Sequence, residues 1–354
     1  MKVLISYLFC TRGGVETALY NRLKGVNKEE IKVDLHFFRD YGGSTLFHDY
    51  AGEVIIEADE KLIQKKIVTE SYDMVISVDS ADMIGILSRM RYEGKIGLEI
   101  HTTYEEGLAY LDCNITDWVD FMIVPSAYQK KLVESRTGEK NIYVLGNAVS
   151  NTMFYQRDEK ERYGRKIILW VGRLDRHKNW RLFLKLAKEI YRQNREYTFW
   201  VVGGLKSEQA EIDEFEAMVY RYGLECVVRW IPQVPYENMG MIYSIAADSG
   251  GCYISTSMNE SFGMTVIEAM ICRCPVIVHK AGALPELVND GRGLCVEEMA
   301  DPEQVKLIND FLLDAGREKV MERAQKYVRD NFSSDIVGKI FCEILCSEIS
   351  EAVG

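Results

Sequence analysis

Short apolar runs rich in β-forming residues recur along the first half of the chain, at positions 2–7, 33–38, 74–78, 96–100, 121–124 and 142–145. They are continuous runs and do not alternate apolar with polar, as strands covered on both faces should be. Segments of helical or loop character separate them, among them 15–23. Strand, helix and strand in succession imply right-handed crossovers and a parallel sheet. The rhythm restarts in the second half, with strands expected at 166–171, 198–202, 226–231, 252–255, 275–278 and 293–296, and helices at 180–194, 208–222 and 265–272. The polar stretch 147–165 is expected to hold a linker. The pattern predicts an α/β chain of two facing Rossmann-like domains with parallel sheets, residues 1–150 and 151–334. A cleft would lie at the carboxyl ends of both sheets, where open α/β sheets bind ligands. Ile336, Val337, Ile340, Phe341, Ile344, Leu345 and Ile349 give the tail an amphipathic helix, and residues 335–354 are expected to pack back on the first domain.

A chain of 354 residues fits two domains better than one. The formal net charge of −11 divides almost evenly, −6 over residues 1–150 and −5 over the rest. Neither half has the basic excess of a nucleic-acid binder, and the acidity opposes strong attraction to anionic lipid. Basic residues such as Lys61, Lys65 and Lys66 leave room for at most a peripheral membrane contact. No apolar run approaches the ~18 residues that span a bilayer, and the first ten residues read as a buried strand better than as a signal peptide. Nine cysteines without zinc-finger spacing read as reduced thiols of a cytoplasmic protein.

The most informative stretch is Asn259-Glu260-Ser261-Phe262-Gly263-Met264-Thr265-Val266-Ile267-Glu268. A helix entered through Gly263 presents free backbone N–H groups and a positive dipole end, a ready anion site. Carboxylates beside an anion site suit sugar hydroxyls better than phosphate. Together they suggest a ligand with phosphate in the middle and hydroxyl-bearing rings on both sides, a nucleotide sugar. Paired carboxylates also occur in glycoside hydrolysis, and a helix-surface role for Glu268 is the structural alternative. Arg173 and Lys178 follow the first strand of the second half and suit a diphosphate; alone they read as a solvated basic loop. Gly13 and Gly14 follow the first strand, and such a pair permits close backbone approach and unusual dihedrals, or makes a tight turn. His101 ends a strand and either points into the cleft or caps it. No Asp-x-Asp occurs, so a metal-bound diphosphate lacks its usual ligand.

The second half resembles the retaining glycosyltransferases of family 4, which have the GT-B fold. The resemblance rests on Val171-Gly172-Arg173-Leu174-Asp175 with Lys178-Asn179, on Ser255 to Glu268 with its Glu-x7-Glu motif, on Pro275-Val276-Ile277, and on Gly282 to Val288 with Asp290-Gly291-Arg292-Gly293. The first half matches weakly, through Gly13-Gly14-Val15-Glu16, His101, Val124-Pro125-Ser126 and Asn147.

The resemblance implies an acceptor domain followed by a donor domain. It implies that Arg173 and Lys178 hold the donor diphosphate, that Glu268 accepts from the ribose, and that Glu260 lies at the transferred sugar. Gly172 and the backbone of Phe262, Gly263, Met264 and Thr265 would surround sugar and phosphate. Gly13 and Gly14 would approach the phosphate from the first domain, and His101 would contact the sugar. The implied activity is metal-independent transfer of a hexose from a UDP- or GDP-sugar, with no cofactor, to a glycan, lipid-linked sugar or small-molecule acceptor in glycoconjugate synthesis. A sugar phosphorylase or synthase on the same scaffold, or a catalytically silent partner subunit, is the alternative. Acceptor residues are implied on first-domain loops at about Phe9–Arg12, Arg39–Tyr50 and Thr102–Asp112, the last aromatic and acidic and so suited to a polyol or an amine. Three positions depart from the family: Arg273 and Ala283 stand where Gly is usual, and Ile231-Pro232-Gln233 replaces a Gly-containing loop. A left-handed residue is expected at 273, mildly strained for Arg.

Overall fold

Two separate all-parallel sheets organise the chain, each inside its own compact unit. The computed structural model describes residues 1–351 apart from Lys28, Cys113, 139–140 and 157–163. Part of the expected linker and the last three residues of the tail therefore lie outside the described residues. One unit comprises Met1–Val149 and Asn331–Gly354, the other Ser150–Asp330. The chain re-enters the first unit at Asn331, earlier than the expected 335, because the Val149 N–H donates to the Phe332 carbonyl at 2.8 Å.

In the first unit the strands are β1 (Lys2–Cys10), β2 (Lys32–Asp40), β3 (Val54–Ile56), β4 (Met74–Val78), β5 (Lys95–Glu99), β6 (Phe121–Val124) and β7 (Ile142–Val144). Their order is β3-β2-β1-β4-β5-β6-β7. β4 is buried at all five positions, which is why four of its residues are apolar and the fifth, Ser77, donates its hydroxyl to the Ser80 carbonyl at 2.7 Å. β3 was not anticipated: it is a three-residue edge strand with no buried position, too short to leave a pattern. In the second unit β8 (Lys166–Val171), β9 (Tyr197–Val202), β10 (Val228–Ile231), β11 (Cys252–Ser255), β12 (Val276–His279) and β13 (Leu294–Val296) follow. Their order is β10-β9-β8-β11-β12-β13. Both units are thus Rossmann-like. In each, the strand order reverses beside the first strand, at β1/β4 and at β8/β11, and that reversal opens a crevice at the carboxyl ends. Helices cover the sheets; Trp180–Gln193, for example, buries Trp180, Phe183, Leu184, Leu186, Ala187 and Ile190. Among the described residues no helix is long and apolar enough to cross a membrane, and every described cysteine is a free thiol.

The tail forms the helix Ser334–Glu351 and packs on Gly14–Lys24 within the first unit. Val337, Phe341 and Leu345 are its buried stripe. The contact depends on two glycines: a Cβ on Gly25 would lie 1.9 Å from the Ser334 carbonyl oxygen, and one on Gly338 would lie 2.3 Å from the Gly25 carbonyl carbon. Gly25→Ala must push these backbones apart and is expected to cost about 1–3 kcal/mol in urea denaturation. An unchanged midpoint would mean that the tail does not depend on this contact.

Candidate active site

In the second unit the site grows from the ends of β8 and β11. Past β8 the chain makes a tight loop. Asp175 Oδ1 accepts from the Lys178 N–H at 2.8 Å, and Asn179 takes a left-handed conformation, φ 53° and ψ 50°, which Asn tolerates well. The Trp170 indole donates to Thr256 Oγ1 at 2.9 Å, and that hydroxyl bonds to the carbonyls of Lys178 and Asn179 at 3.0 Å. The buried Thr256 thereby ties the β8 loop to the segment after β11. The result is direct contact between two of the expected residues: Lys178 Nζ lies 2.6 Å from Glu260 Oε1. Ser257 also donates to that oxygen at 2.7 Å.

Arg173 is not in this group. Its guanidinium pairs with Asp175 at 3.0 Å and leaves 66% of the side chain exposed. Gly172 closes the end of β8, its N–H donating to the Val202 carbonyl at 3.0 Å.

The loop after Glu260 is shaped by two left-handed glycines. Gly263, at φ 111°, turns the chain into the helix Met264–Ile271. Gly282, at φ 54°, sits where a Cβ would meet the Glu260 carbonyl oxygen at 2.2 Å. Ala283 occupies ordinary helical space, φ −79°, so the missing glycine is no obstacle there. Arg273 is left-handed as expected, φ 57°, and its guanidinium pairs with Glu318. Phe262 is buried beneath the turn. The amides of Met264 and Thr265 belong to the first helical turn, which has no intrahelical acceptors; the Thr265 hydroxyl meets the Tyr253 hydroxyl at 2.7 Å.

Glu268 is a buried carboxylate and not a helix-surface residue. Tyr236 and Tyr243 donate to its two oxygens at 3.2 and 3.0 Å. Burial pushes its pKa up to about 7, against the opposing effects of the two hydroxyls and the Lys178 charge. A raised folded-state pKa means that the folded chain keeps a proton the unfolded chain has lost. The associated stabilisation is complete below the ordinary value of 4.5 and is lost as pH rises towards 7. Its size is on the order of 3 kcal/mol. Glu268→Gln, neutral at every pH, should therefore gain on the wild type in melting temperature between about pH 5 and pH 8. Parallel melting curves for the two proteins would contradict the buried carboxylate.

In the first unit the loop after β1 is held by Glu16, which accepts from the Thr11 N–H at 2.6 Å and the Thr11 hydroxyl at 2.5 Å. Gly13 is extended, φ −90° and ψ −175°, and Gly14 is not left-handed either. The unusual dihedrals expected here are absent. A Cβ on Gly13 would lie 2.9 Å from Glu16 Oε2 and displace that carboxylate, whereas a Cβ on Gly14 meets nothing within 4 Å.

His101, just past β5, is buried in a charged network. Its Nε2 lies 2.7 Å from Glu99 Oε1. Arg22 forks onto the same carboxylate, Nη1 to Oε1 at 2.9 Å and Nη2 to Oε2 at 2.7 Å. The Arg22 guanidinium also stacks on Phe341 of the tail helix, 4.3 Å from the ring centre. Asp79, at the end of β4 with φ 47°, accepts the N–H groups of His101 and Thr102 at 2.8 and 3.0 Å. Burial opposes ionisation of Glu99, but Arg22 and His101 overcome it and hold the carboxyl down at about 2. Burial likewise opposes the imidazolium, yet Glu99, by hydrogen bond and charge, and Asp79 raise His101 above its ordinary range.

Sequence reasoning missed Tyr236, Tyr243, Ser257 and Thr256 around the second unit's carboxylates, and Arg22, Glu99 and Asp79 around His101. One signal was visible: Glu99 is the only charged residue in the apolar run 96–100, and a charge there needs a partner. The acidic loop after β5 is tied to the following helix. Arg136 pairs with both Glu105 and Asp112.

Lys178, Glu260, Glu268 and a helix N-terminus thus gather at the β8/β11 switch point, where open α/β sheets bind ligands. The family model for glycosyl transferases group 1 matches residues 152–330, just over half of the chain. The chain belongs to this family. Among curated relatives, a sucrose synthase of Thermosynechococcus vestitus is 28% identical over 215 residues, 55% of this chain and 26% of that protein. Sucrose synthase 2 of Tulipa gesneriana is 24% identical over 262 residues, 69% of this chain and 30% of that protein. The chain thus spans roughly a quarter to a third of the length of these relatives. Among solved structures, Anabaena HepE in complex with UDP-glucose aligns at a TM-score of 0.83 and 19% identity, covering 98% of this chain and all of the other. Sucrose-phosphate synthase of Thermosynechococcus elongatus aligns at 0.79 and 17% identity, covering 99% and 100%. At such identities the likeness shows the fold, the two Rossmann-like domains of GT-B enzymes.

Proposed function

We propose that this chain is a retaining glycosyltransferase of family 4 that moves a hexose from a nucleotide-diphosphate sugar to an acceptor hydroxyl in glycoconjugate synthesis. The observation that carries the reading is the Lys178–Glu260 contact of 2.6 Å, set next to the N-terminus of the helix that bears the buried Glu268. Lys178 supplies the charge for the leaving phosphate, with Arg173 swinging from Asp175 to join it. Glu260 receives sugar hydroxyls, and Glu268 receives the ribose hydroxyls. Gly14 leaves room for the donor phosphate on the first domain, and His101 contacts the sugar.

In the reaction the acceptor oxygen bonds to the anomeric carbon as the bond to the β-phosphate oxygen breaks. The acceptor proton passes to the departing diphosphate on the same face. Charge grows on that phosphate oxygen, where a fixed cation and helix dipole lower the barrier. UDP is the nucleotide we favour, since the complex with Anabaena HepE contains UDP-glucose; GDP is the alternative. Melting the protein with UDP-, GDP-, ADP- and TDP-sugars tests this, because a binder stabilises the native state by mass action. A shift with none of them removes the donor assignment. No cofactor is required in this reading, and side chains carry the positive charge, so EDTA should leave turnover within about twofold of the untreated enzyme. Activity that vanishes in EDTA and returns with Mg²⁺ would refute metal independence.

The sucrose synthases among the relatives favour a second reading, a sugar synthase on the same scaffold. Incubation with sucrose and UDP separates the two: appearance of UDP-glucose supports the synthase.

A further inference from the structure

The charged network under His101 holds more than a fold requires. Arg22 and Glu99 are both buried, with 4% and 2% of their side chains exposed. A buried ion pair is often no more stabilising than well-packed apolar residues of similar volume. This one also leaves Arg22 Nε without an acceptor among the described residues. What the pair does is act on one ring. Glu99 Oε1 accepts from Arg22 Nη1 at 2.9 Å and lies 2.7 Å from His101 Nε2. Phe341 covers the guanidinium and holds Arg22 against the carboxylate.

The backbone beneath the ring is fixed as well. The Asp79 N–H donates to the Glu99 carbonyl at 2.9 Å, and Asp79 Oδ1 accepts from the N–H groups of His101 and Thr102. The Thr102 carbonyl accepts from Gln129 Nε2 at 2.5 Å. Ring and backbone are thus set from both sides, and the two ring nitrogens have different duties. An ionised carboxylate only accepts, so Nε2 carries a proton. Nδ1 makes no hydrogen bond among the described residues and, unlike Arg22 Nε, is not sealed in the core. The charges that face the ring are Glu99, Asp79 and Arg22. With both carboxylates ionised, Arg22 cancels one negative charge and a second proton on His101 cancels the other. Burial opposes that proton, and Glu99 and Asp79 favour it. Burial also raises the Asp79 carboxyl, and a charged His101 works to keep it ionised.

We propose that Arg22 and Glu99 are positioning residues that hold His101 as a fixed hydrogen-bond donor, with Nε2–H spent on Glu99 and Nδ1–H presented to a substrate oxygen. The inference rests on the transferase reading above, in which that oxygen belongs to the sugar.

The test uses the full chain, Glu99→Gln and Arg22→Lys. Long-range proton–nitrogen NMR reads the ring at pH 6.5, the ordinary midpoint of a histidine. The wild type should show both nitrogens mostly protonated, and Glu99→Gln should show one mostly bare. Turnover is read as UDP released from UDP-glucose. Glu99→Gln should lose about ten- to a hundredfold at about pH 7 and clearly less at about pH 5.5, where acid supplies the proton that Glu99 no longer holds. A merely structural role would give equal losses at both. Arg22→Lys keeps the charge and loses the fork, so its ring should stay doubly protonated while turnover falls by about tenfold at either pH. Wild-type turnover in Glu99→Gln at about pH 7, a loss that ignores pH, or a bare Nδ1 in the wild type at pH 6.5 would overturn the proposal. Wild-type turnover in Arg22→Lys, with the fold shown intact by melting, would remove Arg22 from it. If the wild type binds and turns over no nucleotide sugar, the transferase reading fails and takes this inference with it. Turnover by the wild type and Glu99→Gln alike sinks the inference alone.

Discussion

Lys178→Ala is expected to lower transfer about a hundred- to a thousandfold while barely moving the unfolding midpoint. The two halves of this expectation have different causes. Lys178 and Glu260 are partly exposed, 27% and 17%, and an ion pair at such a site contributes only about 1 kcal/mol or less to the fold. Glu260 also keeps its hydrogen bond from Ser257 when the lysine is gone. In the proposed reaction the same ammonium faces the additional charge that grows on the diphosphate oxygen as it departs. An interaction made only then acts fully on the rate. Steady-state turnover and a melting curve on one preparation check both halves. Near-wild-type turnover in Lys178→Ala would remove the residue from the chemistry. Arg173→Ala should follow it, although Arg173 must first leave Asp175, so part of its effect should show in donor binding.

Arg22→Met is expected to be the most destabilising single change in the first domain, by about 3–5 kcal/mol in chemical denaturation. The substitution leaves Glu99 charged, buried and held by His101 alone. Removing both charges in Arg22→Met with Glu99→Leu should recover much of the loss, because the desolvation penalty disappears with them. Glu99→Gln separates structure from chemistry. It keeps the shape but takes away the charge that raises His101, so the imidazole should titrate at lower pH in NMR than in the wild type. His101 in the wild type contributes stability that is complete below its ordinary value of 6.5 and fades as pH rises through its raised value. A histidine resonance unmoved by Glu99→Gln would show that the carboxylate does not govern it.

Much of the fold could be read from the chain because parallel strands covered on both faces are apolar at most positions. β4, β6, β8 and β11 lie where their runs stand in the sequence. β3 could not be read, since an edge strand of three part-exposed residues has neither length nor a required composition. The donor-side residues were legible for a different reason. Glu260, Gly263 and Glu268 are close in sequence, so local geometry alone brings loop, turn and helix together. The partners of Glu268 were not legible, because a tyrosine in an apolar helix, such as Tyr243, looks like core until its hydroxyl is seen at a carboxylate.

By itself the sequence determined two repeating α/β halves, the strand ends at which chemistry sits, and the charged residues available there. Those properties follow from which side chains are apolar and from spacings of a few residues. Only the tertiary structure decided the pairings: Lys178 with Glu260 across 82 positions, Arg22 with Glu99 across 77, and Arg136 turned onto the acidic loop. A charge in a sequence states what a residue can do. Whether it is spent on the fold or kept for a ligand depends on what the crossovers bring within 3–4 Å, where opposite charges pair strongly enough to matter.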